Sequence, residues 1–402
     1  MTKLEELIQE LCPNGVKYLT IPELFITRNG YTPSKANAEF WGNGTIPWFR
    51  MEDIRENGRI LTKSTQYVSE KAIKGKLFPE DSIIIATSAT IGEHALIKVP
   101  SLANQRFTYL VLKDEFKSSV DMMFIFYYCF KLDEFCKTHL NQGNFASVDM
   151  KQFAEFKFPL PPLPVQREIV RILDNFTELT AELQEELQAR KKQYEYYKSN
   201  LLSFETRTPY KSLSDVADVF DSLHQTPEYI QSGFSMIRVQ DIKGAYIDTE
   251  NTLKVSKEVF SKFVKKYRPQ KDDIIVSRVG SYGNFALVPN DDCCLGQNVA
   301  IIHPNICKRF LFYILNSLEV KQWIDKNVKG ASQKSFSLAD IRRIPIPIPS
   351  LEEQARIVSI LDRFDALCND LTSGLPAEIE ARQKQYEYYR DKLLSFHPLS
   401  QP

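Results

Sequence analysis

Two stretches of this chain, QARKKQYEYYKSNLLSF (188–204) and EARQKQYEYYRDKLLSF (380–396), agree at 12 of 17 positions. Upstream of them, QREIVRILDNF (166–176) agrees with QARIVSILDRF (354–364) at 7 of 11 positions. The offset is 188 residues for the upstream pair and 192 for the downstream pair, so the second copy contains four extra residues, which fit best at 376–379. Agreement over this length indicates an internal duplication rather than a short binding motif.

Both copies of the repeated block predict long helices that pair in a coiled coil. Apolar residues recur at spacings of three and four, with one four-residue shift in the first copy, which is the pattern of a helix-packing seam. In the second copy SGLP (373–376) interrupts the pattern, so we predict a short helix, a break and a second helix with Pro376 in its first turn. Roughly 35 to 40 helical residues would extend about 55 Å, a length typical of a spacer.

The tyrosines of the repeated KQYEYY have two interpretations. Either they stack on nucleic-acid bases, as aromatic side chains do in single-strand binders, or they continue the apolar seam of the helices. Their spacing favours the second interpretation. The predicted coiled-coil and partner-docking residues are Leu183, Leu187, Tyr194, Tyr197, Leu201, Ile379, Tyr386, Tyr389 and Leu393.

The segments before the helices form a weaker repeat. IPWFRMEDI (46–54) aligns with FSMIRVQDI (234–242), and the apolar strands near 78–97 align with those near 268–288, with Gly92 opposite Gly283. Short apolar strands separated by Gly and Asn turns predict α+β globules of about 145 residues.

The predicted fold class is therefore α+β. Two mixed α/β globules are separated by two long helices that form an antiparallel coiled coil, in a pseudo-two-fold and nearly circular organisation in which the chain ends meet. The predicted boundaries are 1–164 for the first globule with an N-terminal helix, 165–205 for the first spacer helix, 206–350 for the second globule and 351–402 for the second helical region.

Composition limits the class of protein further. The 402 residues with 43% apolar content suit two or three domains, and a formal net charge of zero neither favours nor excludes a polyanionic partner. Seven scattered cysteines, with no CxxC pair and no histidine at zinc-ligand spacing, predict reduced thiols and no metal. The longest apolar run, 122–130, is shorter than the ~20 residues of a membrane span, so we predict a cytoplasmic protein without a membrane role.

Polar residues at equivalent places in the two globules are candidates for DNA contact. Arg50 and Arg238 follow apolar strands, and arginine binds guanine edges and phosphates; the alternative is a structural pair with Asp53 or Asp241. Hydroxyl and glycine residues between the aligned strands suit phosphate or base contacts, or simply form hairpin turns. The predicted DNA-binding residues are Lys35, Arg50, Ser88, Thr90, Gln105, Arg106, Arg238, Ser277, Arg278, Tyr282, Gln297 and Lys334.

These features together resemble the DNA specificity subunit of type I restriction-modification systems. The likeness covers nearly the whole chain and rests on the two diverged globules, GYTPSK (30–35) before NGTIPWFRMEDI (43–54), FPLPPLPVQREIV (158–170) and the two KQYEYY helices. It implies that each globule is a target recognition domain that reads one half of an asymmetric, bipartite double-stranded DNA site, with the helices setting the spacing. It also implies assembly with restriction subunits and with two modification subunits that bind S-adenosylmethionine and methylate adenine.

The same resemblance implies that S-adenosylmethionine, ATP and Mg belong to the partner subunits and that this chain holds no cofactor. The sequence contains no P-loop, no GxGxxG and no Asn/Asp-Pro-Pro-Tyr/Phe motif, so we predict a non-catalytic recognition subunit. Two other hypotheses stay open. A coiled-coil assembly adaptor whose globules bind protein or carbohydrate predicts no salt-dependent DNA binding, and a stand-alone DNA enzyme is disfavoured by the missing motifs.

Overall fold

The chain divides into two compact units. The structure is a computed structural model that describes residues 2–141, 146–204, 207–328, 335–370 and 373–399. Unit 1 comprises Met1–Glu182 and Glu380–Pro402, and unit 2 comprises Leu183–Ile379. Each unit therefore contains one globule together with the helical segments that pack on it. The boundaries predicted at 164, 205 and 350, which separate globules from helices, stay a prediction.

Helices and strands are numbered along the chain. The helices are α1 (Lys3–Leu11), α2 (Ile21–Leu24), α3 (Met51–Asn57), α4 (Met122–Thr138), α5 (Met150–Glu155), α6 (Leu163–Leu201), α7 (Leu213–Val216), α8 (Lys257–Phe263), α9 (Lys308–Leu315), α10 (Leu318–Asn327), α11 (Leu338–Arg342), α12 (Leu351–Asn369) and α13 (Leu375–Leu393). The strands are β1 (Lys17–Thr20), β2 (Phe25–Asn29), β3 (Ile46–Phe49), β4 (Ile60–Leu61), β5 (Tyr67–Val68), β6 (Ser82–Ala86), β7 (His94–Ile97), β8 (Leu102–Ala103), β9 (Phe107–Leu112), β10 (Lys157–Leu160), β11 (Tyr210–Ser212), β12 (Ala217–Asp221), β13 (Phe234–Ile237), β14 (Leu253–Val255), β15 (Ile274–Ser277), β16 (Phe285–Leu287), β17 (Cys293–Leu295), β18 (Val299–Pro304) and β19 (Pro345–Pro347).

Unit 1 is built around a mixed sheet whose strand order is β2-β9-β6-β7-β4, with a smaller sheet of order β5-β3-β8 and the pair β1-β10. The central strand β6 is buried on both faces, which suits its run of isoleucines. Ile83 and Ile85 face the core that includes α4, whereas Ile84 faces a second core that includes β3. This alternation follows the two-residue period of a strand.

Unit 2 repeats this arrangement. Its main sheet has the order β12-β18-β15-β16, its smaller sheet β14-β13-β17, and β11 pairs with β19. In β15, Ile274 and Val276 face the core that includes α9, and Ile275 faces the other core. At the place of β4, unit 2 has a single parallel bridge between Tyr246 and Leu287. The strand alignment predicted from sequence is thus confirmed.

The aligned glycines occupy the same kind of turn in both units. Gly92 and Gly283 have φ of +74° and +72°, a conformation that L side chains adopt only with strain. Their N–H groups donate to Ala86 O (3.1 Å) and to Ser277 O (2.9 Å) respectively. The two loops after β6 and β15 therefore share one backbone geometry although their side chains differ.

The long helices agree with the predicted coiled coil. Helix α6 runs unbroken for 39 residues, whereas the second region is split into α12 and α13, with Pro376 as the second residue of α13. In unit 1 Phe176 stacks on Tyr389 with ring centroids 5.6 Å apart, and in unit 2 the equivalent pair, Phe364 and Tyr197, stacks at 5.5 Å.

Each tyrosine of KQYEYY has its own environment. The first is covered by a basic residue one turn later: Lys198 Nζ lies 5.8 Å from the ring centroid of Tyr194, and Arg390 Cζ lies 5.7 Å from that of Tyr386. The third forms the stack on phenylalanine described above. The second is solvent-exposed in both copies. The predicted seam residues Leu183, Leu187, Leu201, Ile379 and Leu393 are half-buried.

A tyrosine on each globule binds an aspartate on the long helix beside it. Tyr127 Oη donates to Asp174 Oδ1 in unit 1 (2.5 Å), and Tyr313 Oη donates to Asp362 Oδ1 in unit 2 (2.5 Å). Burial and the neighbouring carboxylate raise the pKa of both tyrosines, so the hydroxyls stay protonated donors. Unit 2 adds Arg309, whose Nη2 lies 2.6 Å from Asp362 Oδ1.

Segments from the two ends of the chain pair within unit 1. The N–H of Val16 donates to His397 O, and the N–H of Leu399 donates to Val16 O, both at 2.9 Å. Tyr18 Oη also donates to Phe396 O at 3.0 Å. The prediction that the ends of the chain meet is therefore confirmed. In the described part of the chain, no helix is both long and apolar enough to cross a membrane.

Candidate DNA interface

Four of the predicted DNA-binding residues meet in one cleft of unit 1. Lys35, Arg50, Gln105 and Arg106 line a cleft of about 820 Å³, which we call the unit 1 cleft. They come from three segments that are distant in sequence. The other lining residues are Thr32, Ala38, Trp41, Gly42, Trp48, Met51, Glu52, Gln66 and Asn104.

The loop that carries Lys35 is held against the segment after β8. A Cβ on Gly30 would lie 2.2 Å from Asn104 O, so only glycine permits this approach. The N–H of Tyr31 donates to Ala103 O (2.8 Å), and Thr32 Oγ1 hydrogen-bonds Gln105 Oε1. These contacts place Lys35 on the same cleft as Gln105 and Arg106.

Two tryptophans form an aromatic wall of the unit 1 cleft. Trp41 and Trp48 pack edge to face with ring centroids 5.0 Å apart. Both indole N–H groups are bound, that of Trp48 to Tyr31 O (2.9 Å) and that of Trp41 to Ser34 O (3.0 Å). Because the indole donors are satisfied and Trp48 is only 4% exposed, the half-buried ring of Trp41 is the main apolar surface offered to a ligand, and polar contacts are left to the neighbouring side chains. Neither tryptophan was among the predicted site residues.

Arg50 presents its guanidinium to this cleft. Its backbone N–H donates to Asp53 Oδ2 (2.7 Å), while Asp53 Oδ1 accepts from the N–H of Thr65 (2.6 Å) and from Ser64 Oγ (3.1 Å). Among the described residues, the guanidinium is hydrogen-bonded by Thr65 Oγ1, at 3.2 Å from Nη2, and forms a long ion pair with Glu52, whose Oε2 lies 3.9 Å from Nε. Within the described residues, its buried Nε has no hydrogen-bond partner. Asp53 therefore binds the backbone of Arg50 rather than its charge.

Arg238 occupies the equivalent position in unit 2 but is bound differently. Its N–H donates to Asp241 Oδ2 (2.8 Å), and its side chain binds the same carboxylate through Nε (3.2 Å) and Nη2 (3.3 Å). This two-point contact neutralises the guanidinium. The structural pair is thus present in unit 2 and its side-chain part is absent in unit 1, whereas ligand contact by either arginine stays a prediction.

The predicted glutamines are both held by a threonine. Gln297 Nε2 donates to Thr226 Oγ1 (3.1 Å), as Gln105 is bound by Thr32. Each threonine precedes a proline, in YTPSK (31–35) and QTPEY (225–229). Thr226 was missed at the sequence level, although the repeated Thr-Pro pair was a usable signal.

The remaining predicted residues lie outside the unit 1 cleft. Buried Ser277 donates to Ser281 O (2.5 Å) and accepts from the N–H of Asn284 (3.0 Å). Arg278 forms an ion pair with Asp221 and donates from Nε to Phe336 O (3.2 Å).

Three further predicted residues, Ser88, Thr90 and Tyr282, are half-buried. Ser88 forms an isolated β-bridge with Ser147, and Tyr282 Oη lies 3.5 Å from Asp325 Oδ1. Lys334 lies outside the described residues. DNA contact by all of these residues stays a prediction, although the polar groups of Ser277 and Arg278 are already bound within the protein.

The residues that the structure describes contain no cluster of side chains that could hold a metal ion. The unit 1 cleft is lined by cations, amides, aromatic rings and one carboxylate, that of Glu52. Such a set binds polyanions and base surfaces.

The fold and the cleft define a two-unit binding protein, and its relatives give the family. Residues 13–190 and 210–381 match the family described as type I restriction modification DNA specificity domain. The chain is 40% identical to the type I restriction enzyme EcoprrI specificity subunit of Escherichia coli over 379 residues, which cover 89% of each chain. It is 35% identical to the EcoR124I/EcoR124II specificity subunit of Escherichia coli, over 63% of this chain and 68% of that one.

A solved structure from the type I restriction-modification system has the same fold. It is similar to this chain with a TM-score of 0.61 at 17% identity, over 95% of this chain and 98% of that chain. The chain therefore belongs to the family of type I restriction-modification DNA specificity subunits. The predicted fold class and the prediction of a recognition subunit rather than an enzyme are both confirmed by this membership.

Proposed function

We propose that each unit reads one half of an asymmetric, bipartite site in double-stranded DNA and that the long helices set the distance between the halves. The observation that carries this proposal is that the family match occurs twice, at 13–190 and 210–381, so that one match lies largely in each unit, while the sequences of the two units differ at most loop positions. Two similar scaffolds with different contact residues suit two different half-sites, by the logic that relates half-site spacing to protein geometry in dimeric DNA readers.

We also propose that the helices dock two modification subunits. The second tyrosine of each KQYEYY copy supports this, since Tyr196 is 64% exposed and Tyr388 is 62% exposed. Large exposed aromatic side chains are favoured anchors in protein interfaces. Two equivalent exposed positions suit two identical partners.

The partner subunits would supply the chemistry. In this proposal the modification subunits bind S-adenosylmethionine and methylate adenine, restriction subunits use ATP and Mg, and this chain contributes recognition without a cofactor of its own. A function on chromosomal DNA places the complex in the cytoplasm.

Methylome sequencing tests the proposal. Hosts that carry the modification subunit would be compared with and without this chain, and a third host would carry this chain without the modification subunit. We expect one asymmetric motif with two specific halves and a fixed gap, methylated at adenine only when both proteins are present. No new motif in the complete host, together with no salt-dependent DNA binding by the purified complex, would contradict the proposal and favour the adaptor hypothesis.

A further inference from the structure

We propose that the two units hold DNA with unequal charge: the unit 1 cleft binds the phosphate backbone of the duplex through Lys35, Arg50 and Arg106, and the equivalent positions of unit 2 do not. This inference rests on the proposed function, because it requires that both units bind DNA. It goes further by naming the DNA component that the cleft binds and the residues that bind it.

The first observation is the loss of cations at equivalent positions. The shared Thr-Pro pair places Lys35 opposite Tyr229, and the shared glutamine places Arg106 opposite Asn298. Lys35 and Arg106 are exposed, and among the described residues neither side chain has a hydrogen-bond or ion-pair partner. Unit 1 therefore offers two free cations where unit 2 has neutral side chains.

The second observation is the different state of the aligned arginines. The Arg50 guanidinium has one hydroxyl partner, Thr65, and a buried Nε without a partner within the described residues. The Arg238 guanidinium binds both oxygens of Asp241. In unit 1, Ser64 and Thr65 donate to Asp53 Oδ1, the oxygen equivalent to the one that Arg238 Nη2 contacts in Asp241.

One acidic side chain partly offsets the charge of the cleft. Glu52 Oε2 lies 3.9 Å from Arg50 Nε, and its side chain is 55% exposed. An ion pair that is long and solvated contributes little, so a phosphate can replace the carboxylate as the partner of Arg50. The equivalent residue in unit 2 is the neutral Gln240.

The geometry favours phosphate over a base edge as the ligand. Base edges in duplex DNA lie within a groove and are reached by side chains that protrude, whereas the unit 1 cleft is concave. The sugar-phosphate backbone is the outer surface of the duplex and is attracted by several cations at once. A guanidinium beside an ammonium is a suitable phosphate site.

The test is the salt dependence of DNA binding by the full chain assembled with its modification subunits. The probe is duplex DNA that contains the methylated motif. We expect the triple variant Lys35→Ala, Arg50→Ala, Arg106→Ala to make the negative slope of log K against log salt shallower by about 2.7, at about 0.9 for each lost phosphate contact. The bases of the methylated motif stay the same.

Unit 2 supplies the matched control. The double variant Tyr229→Ala, Asn298→Gly changes equivalent positions without removing charge and keeps the positive φ of Asn298 unstrained, and we expect its slope to equal that of the wild type. The reciprocal variant Tyr229→Lys places a cation at the position equivalent to Lys35 and should steepen the slope by about 0.9. Glu52→Gln should tighten binding, because it removes the competing carboxylate. Unchanged thermal unfolding shows that each variant is folded.

The outcomes separate this inference from the proposed function. If the wild-type complex shows no salt-dependent DNA binding, the proposed function fails. If the wild type binds but the triple variant keeps its slope, the inference alone is overturned. A changed base preference in one half-site with an unchanged slope also overturns it, since that result assigns the cleft to a base edge.

Discussion

The two units differ at the positions that a ligand would touch and agree at the contacts that hold the fold. The stack of Phe176 on Tyr389 recurs as Phe364 on Tyr197, with nearly the same separation and tilt. The threonine that binds a glutamine recurs as well. At the same loops, cations of unit 1 are replaced by neutral residues in unit 2.

The comparison shows which contacts cannot change after a duplication without a loss of stability. Aromatic stacks and hydrogen bonds to a charged group each contribute to stability, and the loss of such a hydrogen bond leaves its partner unpaired. Exposed loop residues contribute little to stability, so they are free to diverge. A protein of this kind keeps one scaffold and varies its contact surface.

The largest expected effect is a change in the methylated DNA motif when the continuous helix α6 is lengthened, compared with the same insertion between α12 and α13. Inserting Thr-Ala-Glu-Leu after Leu183 lengthens α6 by about 6 Å. If the helices set the spacing, the gap between half-sites widens by one or two base pairs, at about 3.4 Å each, and methylation at the original motif is lost. Methylome sequencing of the insertion variant measures the gap.

The matched control for the insertion is the same four residues placed after Ser373, between α12 and α13. Because Ser373 and Gly374 are not helical, we expect a smaller change in the methylated motif. An unchanged gap in the α6 variant would contradict the proposed role of the helices.

The next largest expected effect is a loss of stability when a buried side chain in the central strand of each unit is truncated. Ile84→Ala in unit 1 and Ile275→Ala in unit 2 remove fully buried side chains at equivalent positions. Each should lower the free energy of unfolding of its own unit by about 2–5 kcal/mol, and Ile84→Val by about 0.5–1.5 kcal/mol. Hydrogen exchange resolved by mass spectrometry identifies which unit opens. Equal loss of protection in both units would show that they do not unfold separately.

A smaller effect is expected at the tyrosine–aspartate contacts. Tyr127→Phe removes one hydrogen bond to Asp174, and we expect a loss of about 1 kcal/mol. Tyr313→Phe removes the bond to Asp362 and also the acceptor of Arg309 Nη2 at 3.0 Å, so about 2 kcal/mol is expected. Denaturant unfolding monitored in each unit gives the two values. If Tyr127→Phe costs as much as Tyr313→Phe, the added arginine of unit 2 has no energetic role.

The smallest expected effect is a pH dependence of the free energy of unfolding of unit 1. Hydrogen bonds and charge from Arg171, with a contribution from Lys3, lower the pKa of Glu168 to about 2. Because the folded-state pKa lies below that of the unfolded chain, the stabilisation is present above about pH 4.5 and is lost as the pH falls toward 2.

Glu168→Gln should therefore cost about 0.5–1 kcal/mol at neutral pH, since Arg171 and Lys3 are largely solvated, and nothing at pH 2. Thermal unfolding across this pH range measures the difference from the wild type. Glu353→Gln in unit 2 is the comparison variant. Because the hydrogen bond from Arg356 also lowers the pKa of Glu353, we expect the cost of this substitution to fall on acidification as well. A difference that grows on acidification would contradict the assignment to Glu168.

Much of the architecture was predictable from sequence because its signals are local. The spacing of apolar residues predicted α6, and SGLP predicted the break before α13. The aligned Gly92 and Gly283 predicted two turns of one geometry. These features depend on neighbouring residues and on backbone conformations that few residue types adopt.

The binding site was predictable only in part. Lys35, Arg50, Gln105 and Arg106 were identified one by one, but their meeting in one cleft depends on loops far apart in sequence. The aromatic wall was missed because a tryptophan in an apolar segment has the same pattern whether it lies in a core or lines a cleft.

The sequence by itself determined the duplication, the two globules and their helices, and the family, since these follow from periodicity and from repeated residues. Only the tertiary structure decided which of two aligned arginines pairs its side chain with its aspartate. Both Arg50 and Arg238 precede an aspartate by three residues, but Ser64 and Thr65, brought close by folding, take an oxygen of Asp53, and the Arg50 guanidinium binds Thr65 instead. Competition for one carboxylate depends on distances in space, which the shared spacing of arginine and aspartate does not contain.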